Sequence, residues 1–239
     1  MSLLVVGTVA FDTIETSSGK AENILGGAAT YTCITSSYFQ SPNIISIVGY
    51  DFPKEHIKKF NEHNIGLLGL ETHQTEKTFF WSGRYRDDMN IRDTIETKLN
   101  VLEYFNPIIP DAYLNSKYIM LGNVIPSVQL KVLSQIKHKA TLIAMDTMNL
   151  WIENAYNDLI AVIKQVDILM INDQEIQQLQ NEVDLEKAVN KTFLLGPSFI
   201  IVKLGSKGSI LFSKKEKFIC PAVKIKNVID PTGAGDCFA

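Results

Sequence analysis

Six short apolar runs recur along the chain, at 3–7, 43–49, 118–122, 141–145, 167–171 and 199–204, and most are rich in Ile, Val or Leu. Runs of this length and composition suit strands buried on both faces of a sheet. Between many of them the apolar residues fall at helical spacing, most clearly over 27–39, 53–63, 126–137, 153–164 and 174–180. Pro53 and Pro126 stand at helix starts, where the missing N–H is harmless. Strand, helix, strand in alternation returns each strand parallel to the one before. The pattern predicts an α/β fold with a mostly parallel sheet covered on both faces.

Two stretches break the rhythm. Residues 12–23 are polar, and 76–97 carry Thr78-Phe79-Phe80-Trp81-Ser82-Gly83-Arg84-Tyr85-Arg86, whose aromatic and β-branched residues favour strand. Together they read as a small β flap, leaving 1–11, 24–75 and 98–239 as the α/β core. Lys214-Lys215-Glu216-Lys217 reads as a solvated hairpin turn.

Charge narrows the partners. Lys plus Arg is 23 and Asp plus Glu is 26, a net charge of −3, so no basic surface is on offer to nucleic acid or anionic lipid. The N-terminus lacks the basic start of a signal peptide, and no segment nears the roughly 20 apolar residues of a membrane helix. Cys33, Cys220 and Cys237 are odd in number and far apart, which suits a reducing compartment. His56, His63, His73 and His138 show no metal-ligand spacing. The expectation is a cytoplasmic protein.

The densest chemistry lies at Asp230-Pro231-Thr232-Gly233-Ala234-Gly235-Asp236. Small residues at 233–235 let backbone N–H groups approach an anion at a helix N-terminus, where the helix dipole adds its attraction. A phosphate would repel the carboxylate of Asp236. That residue is better placed to take the proton of a hydroxyl attacking the phosphate. The bland alternative is a plain helix start with aspartate favoured by the dipole. Other motifs are missing: Gly7 opens no G-x-G-x-x-G turn, no G-x-x-x-x-G-K-[ST] occurs, and no G-x-S-x-G elbow marks a hydrolase.

Residues 230–236 resemble the signature of the ribokinase family, also called the PfkB carbohydrate kinases. Gly26-Gly27-Ala28 is similar to that family's N-terminal glycine pair, and Asn172-Asp173-Gln174-Glu175 to its Asn-x-x-Glu motif. Leu204-Gly205-Ser206-Lys207-Gly208 is similar to its nucleotide-side glycine turn, and all occur in the family's order. The resemblance implies a ribokinase-like three-layer α/β/α sandwich whose β excursions form a lid. It also implies a kinase that moves the γ-phosphoryl group of ATP, with Mg²⁺, to a hydroxyl of a sugar or sugar derivative.

By the same resemblance Asp236 is the catalytic base, and the amides of Gly233, Ala234 and Gly235 form the anion hole. Asn172, Lys203, Gly205, Gly208 and Thr232 fall on the ATP side, with Glu175 reaching Mg²⁺ through water. Asp12, Gly26, Gly27, Tyr31 and Asn123 fall on the acceptor side. Asn123 and Asp146 end predicted strands, on the edge where α/β sheets bind ligands. Arginine is scarce, at Arg84, Arg86 and Arg92 only. Arg84 and Arg86 would share a strand face with Asp87 and Asp88 just beyond, as a surface network. The competing expectation is that one or more of Arg84, Arg86 and Arg92, Arg84 foremost, reach over the acceptor and favour an anionic or polyhydroxyl substrate.

Two departures from the family pattern stand out. Sugar-specific members often carry Asn where this chain has Tyr31, and a phenol cannot repeat an amide's paired hydrogen bonds. Ribose is therefore in doubt, and Tyr31 or Trp81 could stack on a base, which makes a nucleoside kinase the alternative. The chain also stops three residues after Asp236. The expectation is a partial reading frame, against a truncated, non-catalytic metabolite-binding form. Pairing of lids into a homodimer stays open.

Overall fold

Each apolar run becomes a strand, and the connections between runs supply the helices. In chain order the first half holds β1 (Leu3–Val6), β2 (Ala10–Thr16), β3 (Gly19–Gly26), α1 (Ala28–Ser37), β4 (Pro42–Val48), α2 (Lys54–Glu62), β5 (Gly66–Thr72), β6 (Phe79–Tyr85) and β7 (Arg92–Lys98). There follow β8 (Tyr118–Leu121), α3 (Pro126–Gln135), β9 (Leu142–Asp146), α4 (Asn149–Asn154), α5 (Tyr156–Ile163), β10 (Ile168–Asn172), α6 (Asp173–Gln180) and α7 (Leu185–Phe193). The chain ends with β11 (Phe199–Lys203), β12 (Ser209–Ser213), β13 (Lys217–Cys220) and α8 (Ala234–Phe238). The computed structural model describes residues 2–86, 89, 91–136 and 140–239. Asp87, Asp88, Lys137 and His138, which enter the expectations above, lie outside the described residues.

The described residues form two sheets. The larger runs β13-β12-β11-β10-β9-β8-β1-β4-β5, parallel from β11 through to β5 and antiparallel at β12 and β13. Successive residues alternate between two buried clusters: Val6, Ile45 and Leu121 point to one, while Val5, Ile44 and Met120 point to the other. This double burial is why the runs read as continuously apolar. No helix among the described residues is long and apolar enough to cross a membrane.

The smaller sheet runs β3-β2-β6-β7, antiparallel at both margins and parallel between β2 and β6. Its first hairpin starts at Ala10 and returns at Gly26, outlasting the polar stretch 12–23 at both ends. Asp12 lies beside Trp81 in the β2–β6 register, so the two share a face. Phe11 turns the other way and stacks on Phe52.

One predicted helix, 153–164, is in fact two. Ala155 is non-helical at φ −141° and ψ 36°, and separates α4 from α5. Trp151 on α4 is anchored to Asn123, while Leu159, Val162 and Ile163 on α5 fill the core, so the two pieces answer to different neighbours.

Candidate active site

The C-terminal ends of β8 to β11 bring Asn123, Asp146, Asn172 and Lys203 to one edge of the large sheet. Lys203 Nζ donates to both oxygens of Asp146, at 2.7 and 2.8 Å, and the Asp146 side chain is only 5% exposed. Burial pushes the Asp146 carboxyl upward, and the Lys203 charge and hydrogen bond oppose it. A part-buried pair with this two-pronged geometry keeps Lys203 from wandering. Asp146 is thus the counter-ion of Lys203.

Next to it, Asn172 and Glu175 cap α6 reciprocally. The Glu175 N–H donates to Asn172 Oδ1 at 2.8 Å, and the Asn172 N–H donates to Glu175 Oε2 at 3.0 Å. The Asn-x-x-Glu motif is therefore a capping box as well. Burial raises the Glu175 carboxyl above its usual range, against the Asn172 N–H and the charges of Lys203 and Arg92.

The 230–236 loop is held from three directions. Thr232 N–H donates to Asp230 Oδ1 at 2.8 Å, shaping the turn. Gly233 sits at φ +74°, and a side chain there would run into the Tyr31 ring. Thr32 on α1 donates its hydroxyl to the Asp236 carbonyl at 3.0 Å. The Asp236 carboxyl is pushed up to about 6, first by desolvation and then by Asp146, with Lys203 and Arg92 pulling the other way. Ala234 departs from its expected role, because its N–H is already given to the Pro231 carbonyl at 3.1 Å. Among the described residues nothing takes up the N–H of Gly233 or Gly235, so those two are the available anion donors. Gly235 also stands close to Lys203, whose Nζ would be 3.6 Å from a methyl group there.

Across from this loop, Asp12 is 5% exposed and its carboxyl is lifted to about 7. Burial is the main cause, Asp236 and Asp230 add to it, and Arg92 and the Gly27 N–H oppose it. Gly26 must be glycine because the Asp12 carboxylate fills the space of a side chain, and Gly27 sits at φ +93° against the Thr8 carbonyl. The pair therefore seats Asp12 and starts α1. Tyr31 lies close enough to feel Asp12, Asp230 and Asp236; its phenol is raised mainly by burial.

Four expected site residues have other structural engagements. Asn123 accepts from Trp151 Nε1 at 2.7 Å and donates to Met148 Sδ at 3.0 Å, so its amide fastens α4 instead of facing an acceptor. Gly208, at φ +100°, leaves room for the β13 backbone at the Cys220 carbonyl, while Gly205 is a left-handed turn residue at φ +57°. Arg84 is not over the acceptor; it forms an exposed ion pair with Glu15 at 3.0 Å, because its side chain leaves the sheet on the solvent side. Arg86 pairs with Asp93 at 2.8 Å. The arginine whose charge reaches Asp12, Asp236 and Glu175 is Arg92. The sequence reading also missed Thr32 and Tyr85. Tyr85 is joined to Thr232 through their hydroxyls at 3.2 Å, linking the small sheet to the loop.

A desolvated carboxylate, free loop amides, a partly buried lysine and a facing acid at a parallel-sheet edge are groups that phosphoryl transfer to a hydroxyl can use. Comparison with known proteins agrees. Residues 2–239 match the model of the pfkB family carbohydrate kinases. A cytidine kinase from Thermococcus kodakarensis is 24% identical over all of this chain and 86% of its own length. The structure of a nucleoside kinase from Methanocaldococcus jannaschii superposes with a TM-score of 0.78 at 23% identity, covering 98% of this chain and 81% of that one. Arabidopsis thaliana ribokinase, solved with ribose and ATP, gives a TM-score of 0.78 at 22% identity, covering 99% and 82%. The chain belongs to the pfkB family of carbohydrate kinases, and the smaller sheet is the lid of that fold.

Proposed function

We propose that the chain transfers the γ-phosphoryl group of ATP to a hydroxyl of a nucleoside, with a free sugar as the second reading. The observation that carries the proposal is Asp236: desolvated, pushed up to about 6, and close enough to the Lys203–Asp146 pair and to Asp12 for their charges to be felt, on a loop whose Gly235 stands beside Lys203. A carboxylate titrating there is mostly ionised at neutral pH and still basic enough to accept a proton as the hydroxyl attacks. Gly233 and Gly235 N–H groups would meet the phosphoryl oxygens, and Lys203, held by Asp146, would meet them from the sheet side. Asp12, close to neutrality, can give or take a hydrogen bond from a neighbouring hydroxyl and so orient the acceptor.

The donor set fits Mg²⁺ in a limited way. Among the described residues no group of three or more His, Cys, Asp or Glu could hold a metal alone. Glu175 has one carboxylate oxygen taken by Asn172 and one uncommitted, which suits a water-mediated contact to an ion held chiefly by phosphates. Such an ion would neutralise phosphate charge during transfer.

Nucleosides rank first for two reasons. The relatives that match most of the chain are named as a cytidine kinase and a nucleoside kinase. Tyr31 and Trp81 also put aromatic surface near Asp12, where a base could lie. A free sugar is favoured by the glycine pair and Asp12, and by the likeness to carbohydrate kinases and to a ribokinase. ADP release with Mg·ATP across cytidine, other nucleosides, ribose and sugar acids tests the choice. Turnover with nucleosides alone supports the first reading, turnover with free sugars alone supports the second, and no turnover with any of them defeats both.

A further inference from the structure

The 230–236 loop is reached through residues 221–230, which carry no helix or strand and are exposed throughout. Chain of that kind does not hold a peptide plane still unaided, so the loop's fastenings decide where its N–H groups point. Two of them bear on a single peptide unit, the one that joins Thr232 to Gly233 and carries the Gly233 N–H. From α1 the Tyr31 ring occupies the space a Gly233 side chain would need. From the lid comes Tyr85: Thr232 Oγ1 donates to its hydroxyl at 3.2 Å, and that hydroxyl has no other partner among the described residues. Tyr85 ends β6, and alternation along the strand gives it the face of Trp81 and Gly83, the one that Asp12 and Ile14 show on β2. The Trp81 ring lies where Gly83 has no side chain, and its Nε1 donates to Thr94 Oγ1 at 3.3 Å, which settles it on β7. Tyr85 itself is only 9% exposed, so packing holds the phenol and leaves its tip to Thr232.

We propose that Tyr85 is a positioning residue: through Thr232 it sets the Gly233 N–H for the phosphoryl group in transit, and so makes the anion hole depend on where the lid stands. This rests on the kinase reading above and adds how the two sheets act together in it. In the step, the acceptor oxygen bonds to the γ-phosphorus as the bond to the β–γ bridging oxygen breaks. The hydroxyl proton passes to Asp236 and the bridging electrons leave with ADP. Tyr85 touches neither phosphate nor acceptor and exchanges no proton. Its effect is on the aim of a donor that must already point at the oxygens as their charge grows. A lid drawn away from the loop would free Thr232 to turn and the Gly233 N–H with it, which slows transfer to water when no acceptor is held under the lid.

The test compares the unmodified chain with Tyr85→Phe, Thr232→Val, Thr232→Ser, the double variant Tyr85→Phe with Thr232→Val, and Tyr104→Phe as a control whose ring is 55% exposed. kcat and acceptor KM are measured with Mg·ATP and the best acceptor of the ADP-release panel, and Mg·ADP binding by calorimetry. Tyr85→Phe and Thr232→Val should each lower kcat about five- to tenfold, the worth of one hydrogen bond, at unchanged acceptor KM and Mg·ADP affinity. Thr232→Ser keeps the hydroxyl and should keep kcat, as should Tyr104→Phe. The double variant should lose no more than the worse single one, since both remove the same bond. Losses that multiply in the double variant overturn the proposal, as does an intact kcat in Tyr85→Phe, and either leaves the kinase reading standing. A raised acceptor KM with kcat intact would assign Tyr85 to the acceptor and refute its role at the loop. If the unmodified chain turns over no acceptor of the panel, the kinase reading falls and takes Tyr85 with it.

Discussion

Replacing Asp12 by asparagine should stabilise the protein, and do so only above acidic pH. The Asp12 carboxyl titrates near 7 instead of at its ordinary 3.8, chiefly because it is buried. The unfolded chain gives up that proton near pH 4, while the folded chain holds it until near 7. Across the interval the folded state binds more protons, so stability falls as pH rises. At about 1.4 kcal/mol per pH unit, the interval is worth roughly 4 kcal/mol. Asparagine has the same shape, carries no charge and still offers an oxygen to the Gly27 N–H. Urea unfolding at pH 5, 6.5 and 8 should show the Asp12→Asn chain pulling ahead as pH rises, by up to roughly 4 kcal/mol at pH 8. A stability difference that ignores pH, or a variant weaker at pH 8, would refute the reasoning. The same variant should bind the acceptor less well, since the residue that strains the fold is the one offered to the acceptor's hydroxyls.

Other outcomes follow from the same edge of the sheet. Asp236→Asn should keep the fold and Mg·ADP binding while turnover falls by about 10² to 10⁴, and near-normal kcat would remove Asp236 as the base. Because the base must be ionised and titrates near 6, kcat/KM should decline on the acid side of about that pH. Asp146→Asn removes a negative neighbour that raises Asp236, so the acid limb should move to lower pH; an upward move would contradict the assignment. Lys203→Met strands a buried carboxylate and should cost about 3–5 kcal/mol in urea unfolding. Adding Asp146→Asn should recover most of that loss, and a purely additive double variant would mean the pair is not coupled.

The strands at 43–49, 118–122 and 167–171 are legible because both of their faces are covered, which leaves no polar alternation to confuse them. β5 and β13 are the edge strands of the large sheet and expose many of their residues, so no buried run announces them. α7 could have been read: Leu185, Ala188, Val189, Thr192 and Phe193 fall at helical spacing behind an Asp184 cap. At the site, motif residues stand out because glycine and aspartate cluster in a few positions. Their partners do not, since Lys203 meets Asp146 across 57 residues, Tyr85 meets Thr232 across 147 and Thr32 meets Asp236 across 204. Those meetings depend on how crossovers stack strand upon strand. Asn123 illustrates the opposite error, being correctly placed on the binding edge while its amide is consumed by Trp151 and Met148.

The reciprocal bonds between Asn172 and Glu175 have an evolutionary consequence. Both side chains help to start α6 whether or not a nucleotide ever binds, since losing either leaves an N–H at its first turn unmet. Drift in a lineage that abandoned catalysis would spare this pair and strike elsewhere first. Asp236 has no such second duty, for its carboxylate caps nothing and pairs with nothing among the described residues. When working enzymes are sorted from retired ones among related chains, the aspartate is the residue to consult, and an intact Asn-x-x-Glu says only that a helix still begins there.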